Sequence, residues 1–119
     1  MNIHHTKHHN TYVTNLNAGL EKLDAAVTAG NVSDIIALQG ALKFNGGGHI
    51  NHTLFWENLS PKGSTSLKHG GSLADAIEDS FGGLDHLKKD LSAASVGVQG
   101  SGWGWLGYNP KTGKCGMRL

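Results

Sequence analysis

The sequence is short of the residues that would staple a chain, and short of charge. Its 119 residues include one cysteine, Cys115, and two prolines. A lone thiol excludes an intramolecular disulfide and a cysteine-based zinc finger, so any bound metal must be held by histidine or carboxylate. Charged residues are only 16%, and ten Lys and Arg against nine Asp and Glu leave a formal charge of +1. A nucleic-acid binder should show a clustered cationic face, and none is present. No apolar run approaches the ~20 residues needed to cross a bilayer, and the opening Met1-Asn2-Ile3-His4-His5 lacks the cationic and apolar regions of a secretory signal. Nucleic acid and membrane are therefore not expected partners. The length fits one domain at about 100–200 residues each, and a chain of this size buries roughly two-thirds of its unfolded surface without staples.

What is abundant is histidine, at eight, and glycine, at 18. Residues 3–29 read as an amphipathic helix, because Val13, Leu16, Leu20, Leu23 and Val27 recur at spacings of three and four. Gly30 ends it. Ser33 reads as the N-cap of a second helix with Asp34 in its first turn, and Ile35, Ile36, Leu38, Leu42, Leu54 and Phe55 carry that helix toward Asn58, before Pro61. So short a connection predicts antiparallel neighbours, a helical hairpin over residues 1–61.

Lys62 to Gly71 reads as a surface loop and subdomain boundary, with residues 62–119 forming a second region. There Ser72-Leu73-Ala74-Asp75 resembles a capping box, and Leu73, Ile77 and Phe81 share one face. Gly82-Gly83 breaks this helix, and Leu84, Leu87, Leu91 and Ala94 mark the next. The period then changes to alternation through Val96-Gly97-Val98 and Gly102-Trp103-Gly104-Trp105, which predicts entry into a strand. Tyr108 to Gly113 reads as a turn that closes a hairpin, yet only six residues follow it, so the strand's partner is expected to be missing.

Two histidine motifs could carry chemistry. In His4-His5-Thr6-Lys7-His8-His9-Asn10-Thr11-Tyr12, helical spacing puts His4, His8 and Tyr12 on one stripe, and His5 and His9 on a neighbouring stripe that continues to Val13. These are either solvated helix-end histidines or a source of imidazole for a metal or a proton relay. In Asn45-Gly46-Gly47-Gly48-His49-Ile50-Asn51-His52-Thr53-Leu54-Phe55-Trp56, three helical glycines cost ~1 kcal/mol each relative to alanine, a cost that close backbone approach would offset. His49, His52 and Trp56 share a face that an antiparallel partner would set opposite His4 or His8. Read for packing alone, His49 hydrogen-bonds between helices and Trp56 is core. The His-Glu-x-x-His pattern of a metalloprotease is absent. Residues 102–107 match Gly-x-Gly-x-x-Gly, yet an Asn-Pro turn follows instead of a helix, so dinucleotide binding is discarded. Trp103 and Trp105 project from one strand face as an aromatic wall.

Taken together, His4 to Val13, Lys43 to Trp56 and Ala93 to Leu106 make the chain resemble the iron/manganese superoxide dismutase family, in its manganese, mitochondrial-type branch. The resemblance implies an α+β parent, represented here by an antiparallel N-terminal helical hairpin, then two helices and the first strand of a C-terminal α/β domain. It implies His4 and His52, not His49, as metal ligands. His8 and Tyr12 become the pair governing anion entry and proton supply, Trp56, Trp103 and Trp105 the aromatic wall around the metal, and Phe44 a residue near the substrate channel and the contact between copies. The implied cofactor is manganese rather than iron, the substrate superoxide, the assembly a dimer or tetramer, and the location the mitochondrial matrix, with cytoplasm the alternative. Imidazoles with a carboxylate suit such a metal, and aromatic walls keep its site small and dry.

The family completes its site with an aspartate and a third histidine from an Asp-x-Trp-Glu-His segment, and with a glutamine, none of which is present here. Asp85 and His86 do not replace them, because they fall on an exposed-looking helix, and His69 is likewise expected at the surface. The resemblance thus implies a partial chain with two of its ligands and negligible activity by itself. The competing reading is a complete, non-catalytic His-rich metal-binding or helical interaction module.

Overall fold

The computed structural model describes residues 1–64, 67 and 70–119. His69 and most of the loop's centre lie outside the described residues. The chain forms two compact units, Met1–Pro61 and Lys62–Leu119, and each is taken by itself.

The first unit is a helical hairpin. A π-helical turn over His4–His9 leads into α1, Asn10–Thr28, and α2 runs over Val32–Glu57. Gly30, with φ of 65°, turns the chain between them in a conformation that costs a glycine little. Ser33 is not the cap of α2. Asn31 holds that position, its side chain accepting from the Asp34 amide at 3.2 Å while its own amide group donates to the Asp34 carboxylate at 2.8 Å. Antiparallel packing follows from the pairs that meet, Gly19 with Leu42, Leu16 with Gly46 and Tyr12 with Gly48, which run in opposite directions along the two helices.

The expected aliphatic stripe is only partly covered, with Val13, Leu16 and Leu23 half-buried. Gly19 and Ala26 are the buried residues of α1, while Leu20 and Val27 are largely exposed, as are Ile36 and Leu54 of α2. Glycines of one helix meet larger side chains of the other across the seam, Gly19 against Leu42 and Gly46 and Gly48 against Leu16 and Tyr12. The glycine triplet is also not uniform. A Cβ on Gly48 would run into the Tyr12 ring, one on Gly46 would make ordinary contact with Leu16, and one on Gly47 would meet open space. Close approach therefore explains one glycine of the three. No helix among the described residues is long and apolar enough to cross a membrane.

The second unit contains α3, Ser72–Phe81, and α4, Leu84–Val96, separated by the expected Gly82-Gly83 break. Ile77 and Leu87 are its buried apolar side chains. The expected capping box is not formed, because Gly71 stands at the N-cap and Ser72 is already helical. Strand β1 covers Trp105–Asn109 only, since residues 97–100 turn at the end of α4. The expectation of an unpaired strand is overturned. Lys114–Arg118 forms β2, antiparallel to β1, with Trp105 opposite Arg118 and Tyr108 opposite Cys115. The turn is closed by the Asn109 side chain, which accepts from the Lys111 amide at 2.9 Å, and by the Gly113 amide donating to the Asn109 carbonyl at 2.9 Å. Half-buried Cys115 and Met117 alternate with exposed Lys114, Gly116 and Arg118, a period-two pattern that the short basic segment conceals. The Cys115 amide also donates to the Ser80 hydroxyl at 3.0 Å, tying β2 to α3.

Candidate metal centre

The first histidines lie on a π-helical turn. The Asn10 amide donates to the His5 carbonyl, five residues back. In an α-helix, residues five apart point roughly 140° away from each other, whereas a ladder of five-residue bonds returns them toward one side. His4 and His8, four apart, meet His52, and His9, five from His4, lies toward the same side. No non-glycine residue among the described residues has positive φ, so the turn uses no left-handed backbone.

His4 Nε2 lies 3.0 Å from His52 Nε2, and His52 Nδ1 lies 2.7 Å from the Gly48 carbonyl oxygen. A carbonyl only accepts, so Nδ1 carries the proton and, in the neutral ring, Nε2 presents its lone pair toward His4. His8 completes a group whose donor atoms all lie within 4.8 Å of one another. No carboxylate joins this group among the described residues. Partial removal from water, then the neighbouring His8 and His52 imidazoles and the terminal amine, hold the His4 pKa below its ordinary value. That favours the neutral, metal-binding form.

Around these rings the other expected site residues fall as follows. Tyr12 is half-buried, its ring 5.3 Å from those of both His8 and His52 and 5.7 Å from that of Phe44, which is itself exposed. Trp56 meets His4 edge-on at 5.5 Å. Trp103 and Trp105, in the second unit, stack with ring centres 5.3 Å apart and planes at 13°. Asp85 and His86 are exposed. His86 lies within hydrogen-bond distance of the Gly82 carbonyl, and Asp85 pairs loosely with Lys88 at 3.7 Å.

One residue escaped the helical-stripe argument. His9 is 8% exposed, second among the described polar residues only to His52 at 3%, and it bridges the helices. Trp56 Nε1–H donates to His9 Nδ1 at 2.9 Å, and His9 Nε2 lies 2.9 Å from His49 Nδ1. Burial first, then the imidazoles of His52, His49 and His5, lowers the His9 pKa. His49 is therefore the interhelical hydrogen-bonder that its packing role requires. The signal for His9 lay in its spacing of four from Val13 on the apolar face, and the structure sets its ring between His49 and Trp56.

Comparison with known proteins agrees with this arrangement. Residues 1–60 match the family described as iron/manganese superoxide dismutases, alpha-hairpin domain, and residues 69–117 match its C-terminal domain. The chain is 55% identical over 116 residues to the mitochondrial manganese superoxide dismutase of Cryptococcus neoformans var. grubii, covering 96% of this chain and 52% of that protein. It is 59% identical over 112 residues to the protein of the same name from Apostichopus californicus, and 57% over 114 residues to that from Petromyzon marinus. These alignments cover 94% and 96% of this chain, and 76% and 78% of the respective relatives. The chain thus spans about half the length of the fungal relative. Two family domains in sequence order, together with converging histidines on a helical hairpin, give one conclusion: the chain belongs to the iron/manganese superoxide dismutase family.

Proposed function

We propose that this chain supplies the helical hairpin, and the start of the α/β part, of a manganese superoxide dismutase, with His4 and His52 as two of the metal's ligands. The observation that carries this reading is the approach of His4 Nε2 and His52 Nε2 to 3.0 Å, with the other nitrogen of His52 committed to a backbone carbonyl. Nitrogens so spaced can share one ion, since an imidazole bond to a divalent ion such as zinc runs about 2.0–2.1 Å. Imidazole donors suit manganese or iron, and the names of the three relatives favour manganese. When bound, manganese would supply a one-electron couple between its 3+ and 2+ states, so that one superoxide is oxidised to dioxygen and the next, with two protons, is reduced to hydrogen peroxide.

The chain's own residues have separate tasks in this reading. The Gly48 carbonyl holds His52 in the tautomer whose Nε2 is a ligand. Trp56, edge-on to His4, covers the site against water. His8 and Tyr12 supply protons and admit the anion. They combine a titratable imidazole and a phenol O–H in ring contact beside His52. Phe44, exposed next to Tyr12, is assigned to the channel mouth and to the contact between copies in a dimer or tetramer. Trp103 and Trp105 are carried over as further aromatic wall, supported by their mutual stacking and by the family match over their region. The mitochondrial names of the relatives support a matrix location, and the match to both family domains leaves the module reading without support.

The test is metal content. In a full-length enzyme carrying this sequence, His52→Ala is expected to purify with at least about tenfold less manganese and correspondingly less dismutase activity. Residues 1–119 by themselves should bind manganese only weakly, because the described cluster lacks a carboxylate. Undiminished metal and turnover in the His52 variant would refute the ligand assignment.

A further inference from the structure

His9 has no part in the reading above, yet both of its ring nitrogens are engaged. An indole N–H can only donate, so the bond from Trp56 Nε1 requires His9 Nδ1 to be bare and places the proton on Nε2, from which His9 donates to His49 Nδ1. A proton on Nδ1 would set two donors against each other at 2.9 Å. The tautomer of His9 is thus dictated by a tryptophan on the opposite helix. The same ring lies stacked on His52, with centres 5.2 Å apart and planes at 19°.

His52 is therefore held at its edge by the Gly48 carbonyl and on its face by an imidazole that is itself pinned at both ends. We propose that His9 is a positioning residue that clamps His52 and Trp56 together, so that His52 Nε2 stays aimed at His4. His9 acts through His52, and the inference rests on the reading of His52 as a metal ligand. Groups that orient a ligand from behind are commonly worth about 10–100-fold in metal affinity or activity. A phenylalanine at position 9 would keep the ring and the stack but leave the Trp56 N–H and the His49 nitrogen without their partner. Asparagine would place Oδ1 where Nδ1 stood and so restore the acceptor for Trp56. Glutamine would reach toward His49 instead.

The experiment uses the full chain and two readouts, hydrogen exchange of the Trp56 indole N–H without metal and broadening of the His52 ring resonances by added Mn2+. In His9→Phe the indole proton is expected to exchange at least about tenfold faster, and the Mn2+ needed for half-broadening is expected to rise about tenfold, the lower end of such losses. His9→Asn should return indole exchange to within about threefold of the wild type, whereas His9→Gln should not. Far-UV circular dichroism confirms the fold of each variant, and if His9→Phe does not fold, the Asn and Gln pair decides. Wild-type exchange and titration in a folded His9→Phe chain, or identical behaviour of Asn and Gln, would overturn the proposal. Absence of Mn2+ broadening in the wild type would refute the metal reading itself, and the indole exchange would still decide whether the clamp exists.

Discussion

Replacing Gly48 with alanine is expected to destabilise the helical hairpin, whereas the same change at Gly47 is expected to stabilise it. Both residues are helical, so alanine gains about 0.8–1.0 kcal/mol of propensity at either position. At Gly47 nothing opposes that gain, because an added Cβ meets no atom within 4 Å. At Gly48 the added carbon would overlap the Tyr12 ring, which is packed among His8, Phe44 and His52 and cannot swing aside freely. Forcing an extra carbon into packed surroundings costs about 1–3 kcal/mol. The net change is then a gain of about 1 kcal/mol at Gly47 and a loss between about 0 and 2 kcal/mol at Gly48. One kcal/mol moves the melting temperature of a domain this small by about 4–8 °C. Gly47→Ala should therefore melt about 4–8 °C above the wild type, and Gly48→Ala at or below it, in thermal and urea unfolding followed by far-UV circular dichroism. Gly48→Ala should also shift the Tyr12 ring resonances. Equal stabilisation by both substitutions, with Tyr12 unmoved, would refute the close approach of Gly48 to Tyr12.

Asn31→Ala should cost about 1 kcal/mol in urea unfolding through loss of the cap on Asp34, while Ser33→Ala should stay within about 0.5 kcal/mol of the wild type. His4 and His9 have lowered pKa values in the folded chain, against about 6.5 when unfolded. Below about pH 6.5 the unfolded chain therefore binds more protons than the folded one, so the stability present above that pH is lost as the pH falls through the folded values. The urea midpoint should drop between about pH 7.5 and pH 5.5, and drop less in His9→Phe. An unchanged or rising midpoint would contradict the burial of His9 as a neutral ring.

The helical hairpin, the Gly82-Gly83 break and the meeting of His4, His8 and His52 were all legible in the sequence. Each depends on local periodicity or on the short link that makes α1 and α2 antiparallel neighbours. Local chemistry was less legible at element ends. Ser33 and Asn31 are both good caps, and Ser72 competes with Gly71; the choice depends on where the backbone leaves the helical region. Strand β2 was missed because Lys114, Gly116 and Arg118 mask its alternation, and because pairing depends on β1 and on the Ser80 hydroxyl of α3.

What the sequence by itself determined is which histidines can share a face, since spacing along a helix is a property of the chain alone. Tertiary structure decided the rest of the site. The packing of α2 set the His9 ring between His49 and Trp56, and the approach of α2 singled out Gly48 among three identical glycines. Both depend on the distance and rotation between two helices, and those are set by all the side chains packed between them.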